Sequence, residues 1–150
     1  MKFILDTNLY ISADRDSARA TELQRFYQRY FQFTFLHAVV AYELRAGVHD
    51  RARKRQLERT VLEPFERIGR LVAPSFRAWK LSGEAVSRLV ERGALTSGGF
   101  TRSFLGDILL AVTCHQGGYV LVTENRADFE RIRDVLDFDF RSVDELNQAA

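Results

Sequence analysis

Two short, continuous apolar runs constrain the fold of this sequence more than any other feature. Residues 3–5 read FIL and residues 120–122 read VLV, and polar residues or glycines bound both runs. An uninterrupted apolar run of this length is typical of a strand that is covered on both faces, as in a parallel sheet. Parallel strands need long crossover connections, so we expect helices between them.

Helical periodicity fills the region between the two runs. Leu23, Phe26, Tyr27, Tyr30 and Phe31 lie at i, i+3, i+4, i+7 and i+8, which is one stripe of an amphipathic helix. Strands alternating with helices predict a three-layer α/β/α domain with a mainly parallel central sheet, and we expect residues 1–150 to form a single domain. Further helices are predicted over residues 38–48, 56–68, 76–92 and 106–115, and further strands over 33–36, 71–73, 119–122 and, at an edge, 137–141, before a helical turn at 143–146.

The composition excludes several classes of protein. No apolar stretch approaches the ~20 residues of a membrane span, and no cleavage site follows the first apolar run, so we expect a cytoplasmic protein. Cys114 is the single cysteine, which excludes an intramolecular disulfide and a cysteine-rich zinc site. Neither GxxxxGK[ST] nor GxGxxG occurs, which disfavours enzymes that bind nucleotides through a glycine-rich loop.

The basic residues are mostly arginines, and five basic residues crowd into one segment. Arginine binds phosphate bidentately, so RNA or DNA is a candidate partner. A solvated helix face beside neighbouring glutamates explains this segment equally well when it is taken alone. The five residues are Arg51, Arg53, Lys54, Arg55 and Arg59.

Four carboxylates stand at the edges of apolar elements. Asp6 ends the first apolar run, and Glu43 interrupts an apolar helical stretch. Asp107 opens another apolar helix, and Asp128 follows the last buried strand. A buried carboxylate costs several kcal/mol unless it is paired, protonated or bound to a metal. The repeated placement therefore indicates one shared partner, and a divalent cation is the simplest.

The predicted elements bring these carboxylates toward one crevice. Ligands of open α/β sheets bind beyond the carboxyl ends of the strands, where Asp6 and residues 123–128 fall. Glu43 shares its helix face with Val39 and Val40, and with the small residues Ala46 and Gly47, which we expect to leave space beside it. Asp107 is expected in the first helical turn, where the helix dipole favours a negative charge.

Each carboxylate also has a purely structural explanation. Asp6 could cap a following turn, and Asp107 could be an ordinary acid at a helix start. Glu43 could pair with a buried arginine, either Arg45 or Arg77. Taken singly these explanations are the better ones, and the occurrence of all four acids together favours a site.

Four segments resemble, in order, the four motifs of PIN-domain ribonucleases. They are FILDTN at 3–8, AYELRAG at 41–47, DILLA at 107–111 and LVTENRADF at 121–129. In length and motif order the chain resembles the VapC toxins of toxin–antitoxin modules. The resemblance implies a PIN fold and an endoribonuclease that hydrolyses RNA phosphodiester bonds with Mg²⁺ or Mn²⁺. It also implies a cognate VapB-like antitoxin, which binds a groove formed partly by the early helices, and a homodimer.

The resemblance also implies roles for individual residues. It assigns Asp6, Glu43 and Asp107 to the catalytic, metal-binding acids. The fourth position has two candidates, and we favour Asp128 as the acid, with Asn125 as a neutral contributor that often acts through water. The polar residues that orient a carboxylate or water are Thr7, Asn8, Thr123 and Asn125.

Two other functions remain open at this point. A catalytically silent PIN-like module could bind RNA or act as a regulator and use the acids only for structure. A phosphatase with Asp6 as nucleophile is the weaker alternative, because Asn8 stands where such a motif requires a second acid.

Overall fold

The computed structural model describes residues 1–149, which form a parallel sheet flanked by helices. The strands are β1 (Lys2–Leu5), β2 (Thr34–His37), β3 (Leu71–Val72), β4 (Tyr119–Val122) and β5 (Asp139–Arg141). The helices are α1 (Thr7–Arg15), α2 (Ser17–Tyr30), α3 (Ala38–Ala46), α4 (Arg51–Leu57), α5 (Glu63–Arg67), α6 (Phe76–Glu91), α7 (Arg102–Gly117), α8 (Arg126–Arg133) and α9 (Val143–Gln148).

The sheet has the strand order β3-β2-β1-β4-β5, and every neighbouring pair is parallel. The chain begins at the central strand, extends the sheet to one side through β2 and β3, and returns to the other side through β4 and β5. The strand order therefore reverses between β1 and β4, and such a switch point opens a crevice at the carboxyl ends of the strands. The predicted α/β/α fold class is confirmed, and the sheet is wholly parallel.

The two apolar runs form the most deeply buried strands. Ile4 and Leu121 pair across β1 and β4, and neither is exposed to solvent. The edge strand β5 keeps the predicted alternation, since Phe140 is buried between exposed neighbours. Burial on both faces removes the polar alternation from the central strands, and exposure on one face keeps it at the edge.

Two helices near the crevice were missing from the sequence prediction. Residues 7–15 form α1 directly after β1, and residues 126–133 form α8 after β4. Asp6 is at the N-cap position of α1, and Asp128 is in the first turn of α8. Both helices are short and predominantly polar, so their apolar periodicity is weak.

Helix α7 begins earlier than predicted. It starts at Arg102 because the Thr101 hydroxyl accepts a hydrogen bond from the backbone N–H of Phe104. Asp107 therefore lies in the second turn, and the expectation that it benefits from the first-turn dipole is wrong. The helix ends at Gly118, whose φ of 66° is the left-handed conformation that glycine adopts most readily.

Between α3 and β3 lies one helical segment in three parts. A π-helical stretch, Glu58–Leu62, joins α4 to α5. Arg45 of α3 pairs with Glu58 at 2.6 Å and with Glu66 at 3.0 Å. Arg45 is therefore not the partner of Glu43. None of the helices within residues 1–149 has the length and hydropathy needed to cross a membrane.

Candidate functional site

Asp6 and Thr123 lie side by side at the carboxyl ends of β1 and β4. The pairing of Leu5 with Val122 brings the two following residues together. The Thr123 hydroxyl donates to Asp6 Oδ2 at 2.8 Å, and the Asp6 side chain makes no capping hydrogen bond to α1. Burial raises the pKa of Asp6 above its ordinary value, and the hydrogen bond from Thr123 opposes that rise. Asp6 thus occupies the N-cap position of α1, and its closest hydrogen-bond donor is Thr123 on the strand side.

Asp107 is the carboxylate whose environment is most unfavourable to negative charge. Only 8% of the residue is exposed, and its pKa is raised to about 8. Burial is the largest cause, followed by the negative charges of Asp6, Asp128 and Glu43 in that order. The four candidate acids therefore share one electrostatic environment, although they come from four separate segments of the chain.

Glu43 reaches this environment beside a glycine of the neighbouring helix. A Cβ atom added at Gly106 would lie 2.7 Å from Glu43 Oε1 and 3.2 Å from Val39 Cγ1. Gly106 thus provides space at the end of the Glu43 side chain, Gly47 lines a groove together with Glu43 as predicted, and Ala46 is exposed. The glycine immediately before an acid in an apolar helix was the available signal for this close approach.

Asp128 is linked to Asp6 through Asn125 and Thr123. The Asn125 side chain donates to Asp128 Oδ2 at 3.0 Å, and its backbone N–H donates to the Thr123 hydroxyl at 3.0 Å. Arg131 donates to the other Asp128 oxygen at 3.0 Å. Asn125 is therefore a hydrogen-bonded neighbour of Asp128 in this structure.

Thr7 and Asn8 are the other two residues that were predicted to orient a carboxylate or water, and their surroundings differ. Thr7 is buried, and its hydroxyl has no hydrogen-bond partner within residues 1–149. Asn8 is exposed on α1. The structure thus brings Thr123 and Asn125 into contact with the acids, leaves the Thr7 hydroxyl buried next to Asp6 in sequence, and places Asn8 at the surface.

The donor set fits a hard divalent cation. All four acids offer oxygen ligands, which Mg²⁺ and Mn²⁺ prefer, and neutralising mutually repelling carboxylates is favourable. Among residues 1–149, however, no three His, Cys, Asp or Glu side chains form a group arranged to hold a metal ion. Asp6 and Asp128 are both engaged by protein donors. Mg²⁺ keeps several of its waters, so it does not require three direct protein ligands.

A groove of about 290 Å³ opens beside Glu43 between α1, α3 and α4. Its walls combine apolar side chains with polar and charged ones, among them Asp14, Arg15 and Arg53. The five basic residues of the segment 51–59 form no salt bridge within the described part of the chain. The nearby glutamates pair with Arg45 and Arg67 instead, so the basic segment is available to an anionic partner.

The aromatic stripe of α2 is only partly core. Phe26 is fully buried, whereas Tyr27, Tyr30 and Phe31 are partly buried and pack against the core cluster. Tyr27 and Phe31 also line a second, more apolar cavity with Tyr10 of α1. This part of the early helices is therefore able to contact another molecule.

No protein-family model matches the sequence, and no curated protein matches it either. Solved structures with the same fold do match. A chain of DNA-bound VapBC from Salmonella typhimurium is 18% identical with a TM-score of 0.71, and the match covers 95% of this chain and 98% of that chain. VapBC-1 from nontypeable Haemophilus influenzae is 18% identical with a TM-score of 0.67, and the match covers 96% and 99%.

A third similar structure is FitAcB from Neisseria gonorrhoeae. It is 20% identical with a TM-score of 0.65, and the match covers 91% of this chain and 96% of that chain. Identities this low establish a common fold, and the coverage extends it over nearly the whole length of each chain. The PIN fold implied by the four motifs is thereby confirmed. This chain has the PIN-like α/β/α fold that it shares with chains of the VapBC and FitAB structures.

Proposed function

We propose that this protein is the toxin of a toxin–antitoxin pair and a metal-dependent endoribonuclease that hydrolyses RNA phosphodiester bonds. One observation carries the proposal. Three carboxylates from separate segments, Asp6, Glu43 and Asp128, raise the pKa of the buried Asp107, next to the switch point of the sheet. A fold gains no stability from such repulsion, so the arrangement favours a role in binding cations.

The residues of the crevice would have different roles in such a reaction. Asp6, Glu43 and Asp107 would hold the cation, and Asp128 would act with Asn125, in part through water. Bound Mg²⁺ or Mn²⁺ supplies an activated water and stabilises the leaving oxygen. Thr123 holds Asp6 in one orientation through its hydrogen bond. Arginines of the segment 51–59 would bind the RNA backbone outside the crevice.

Cleavage of structured RNA by purified protein tests the proposal. Wild type is expected to cut RNA with Mg²⁺ or Mn²⁺ and to stop when EDTA is added. Asp6→Asn, Glu43→Gln and Asp107→Asn should each remove most hydrolysis and leave the fold intact, because each neutralises one cation ligand. Asp134→Asn is the matched control, since this exposed aspartate lies at the end of α8 and should leave cleavage unchanged.

Thermal unfolding gives a second readout that does not depend on activity. Millimolar Mg²⁺ should raise the Tm of wild type, because a ligand that binds only the native state stabilises it by about 2.7 kcal/mol at 100 times its Kd. Asp6→Asn should lose much of that rise. EDTA-resistant cleavage, or full activity in Asp107→Asn, would contradict the metal-dependent nuclease and favour the catalytically silent RNA-binding module.

The groove beside Glu43 supports an antitoxin as the protein partner. VapBC and FitAB structures share this fold, and the groove is lined by apolar side chains together with the candidate acid Glu43. An antitoxin segment would bury apolar side chains between α1 and α4 and direct a basic or polar group toward the acids. We expect such a segment to inhibit cleavage by covering the crevice.

Coexpression with the product of the adjacent gene tests the antitoxin. The two proteins should purify together, and titration of the partner should suppress RNA cleavage in proportion to complex formed. Val61→Arg, which places a charge in the apolar wall of the groove, should weaken the complex. Unchanged activity in a saturated complex would contradict inhibition through this groove.

A homodimer is also part of the proposal. Tyr42 and Trp79 are both more than half exposed and line a cavity of about 620 Å³ between α3, α6 and α7. Exposed apolar surface of this kind is typical of a protein interface.

A further inference from the structure

A salt bridge connects the candidate site to the next turn of α8. Arg131 Nη2 lies 3.0 Å from Asp128 Oδ1. Across residues 1–149 this is the one salt bridge made by any of the four candidate carboxylates. Arg131 is therefore the cation that the fold places directly against the acidic crevice.

A second contact holds the same guanidinium from α7. The Arg131 guanidinium carbon lies 5.2 Å from the centroid of the Phe104 ring. Phe104 is buried in the first turn of α7, three residues before Asp107. Such cation–π contacts orient a guanidinium and limit its rotation. Arg131 thus touches both the helix that carries Asp128 and the helix that carries Asp107.

Most of the N–H donors of the Arg131 side chain have no acceptor within the described residues. A guanidinium has five N–H donors, and the side chain donates one hydrogen bond within the described residues, to Asp128. The side chain is 37% exposed, so the remaining donors can be reached from solvent. A planar guanidinium that is already oriented binds a phosphate with little further loss of entropy.

The charge of the crevice makes such a cation necessary for an RNA nuclease. Four carboxylates attract metal ions but repel the phosphates of the substrate. A fixed positive charge at the rim offsets that repulsion where the RNA backbone enters. We propose that Arg131 binds a backbone phosphate of RNA at the rim of the crevice, a contact that rests on the nuclease function proposed above.

RNA binding by an inactive variant gives the most direct test. A fluorescein-labelled single-stranded RNA is titrated with Glu43→Gln protein in Mg²⁺ at several salt concentrations. Adding Arg131→Gln to this variant should weaken RNA binding roughly tenfold. The logarithm of the association constant should also fall less steeply with the logarithm of the salt concentration, by about 0.7 in slope, which is the value for one phosphate contact on a single strand. In the active protein, Arg131→Gln should raise KM about tenfold and change kcat less than about twofold.

Two matched variants separate the phosphate contact from general effects. Arg133→Gln removes an arginine of the same helix that also stacks on a phenylalanine, since its guanidinium carbon lies 4.9 Å from the centroid of Phe140. It should keep the wild-type salt slope. Arg131→Lys retains the charge without the bidentate geometry, so it should keep the salt slope and lose about two- to threefold in affinity.

If Arg131 only holds Asp128 in place and does not bind phosphate, the Arg131→Gln variant should give different measurements. In that case Arg131→Gln would reduce the rise of Tm caused by Mg²⁺ and leave the salt slope of RNA binding unchanged, which would overturn the proposal. An active wild type whose KM is unaffected by Arg131→Gln would overturn it as well. A wild type that neither binds nor cleaves RNA would overturn the nuclease function itself, together with this contact.

Discussion

At the scale of single residues, His37 shows how a buried polar side chain connects two helices of the site. It is fully buried at the end of β2, where its Nδ1 accepts from the backbone N–H of Val39 and caps α3. Its Nε2 lies 2.9 Å from the Thr113 hydroxyl, which donates to the Leu109 carbonyl of α7. These partners assign the proton to Nε2, so the folded protein holds a neutral imidazole.

The burial of His37 predicts that its own contribution to stability is lost in acid. Burial lowers the pKa of His37 to about 4, whereas the unfolded chain has a histidine pKa of about 6.5. Between these values only the unfolded state binds a proton at this residue, so the contribution of His37 falls by about 3 kcal/mol as the pH falls from about 6.5 to about 4. The raised pKa values of Asp6 and Asp107 act in the opposite direction, so the contribution of His37 is measured as the difference between wild type and a His37 variant in urea unfolding at several pH values.

His37→Asn is the comparison that isolates this effect. The Asn side chain can still cap α3 with its oxygen but does not titrate. As the pH falls over this interval, the stability of wild type should therefore decrease relative to that of the variant by about 3 kcal/mol, whatever the stability of the variant at neutral pH. The same pH dependence in both proteins would show that His37 is not the titrating group.

At the scale of secondary-structure elements, the approach of α3 to α7 determines where Glu43 lies. Gly106 is the contact point. Alanine in a helix interior is normally about 1 kcal/mol more favourable than glycine, but a Cβ at this position would press on the end of the Glu43 side chain. We expect Gly106→Ala to fold, to gain little stability, and to lose much of the rise of Tm that Mg²⁺ causes.

Gly83→Ala in α6 is the matched control for that change. A Cβ there meets nothing within 4 Å, and the residue is exposed in the helix interior. This substitution should raise stability by about 0.5–1 kcal/mol and leave the response to Mg²⁺ unchanged. If Mg²⁺ raised the Tm of Gly106→Ala as much as that of wild type, the position of Glu43 would not depend on the close approach of Gly106.

At the scale of the whole molecule, the exposed aromatic surface predicts self-association. Phe76 is 85% exposed on α6, one turn before Trp79, which lines the cavity beside α3. A protruding ring next to a cavity can pair with the same surface of a second copy through two-fold symmetry. Light scattering after size exclusion should give the mass of a dimer for wild type.

Substitutions on this surface should convert the dimer to a monomer. Phe76→Ser combined with Trp79→Ser removes the apolar contact and should halve the measured mass without changing the circular dichroism spectrum. Phe33→Ser is the control, because this exposed ring precedes the amino end of β2, whereas Phe76 follows the carboxyl end of the neighbouring strand β3. A monomeric wild type at all concentrations, or a dimer that persists in the double variant, would contradict the proposed interface.

The sequence by itself determined the elements of the sheet and the identity of the candidate acids. Burial on both faces produces an uninterrupted apolar run, and helix packing produces a stripe of period 3.6, so both patterns can be read locally. The parallel sheet in turn predicts that its carboxyl edge brings Asp6 close to the segment after β4. The short polar helices α1 and α8 lack a strong pattern, which is why they were missed.

Only the tertiary structure decided how the side chains meet. The contact of Gly106 with Glu43, the cation–π contact of Arg131 with Phe104, and the hydrogen bond between His37 and Thr113 join residues that lie on different elements and far apart in sequence. Such contacts depend on how helices cross and on which rotamers fit between them. Periodicity shows which face of a helix is buried, and the packing of several elements together decides which atom of a neighbour that face touches.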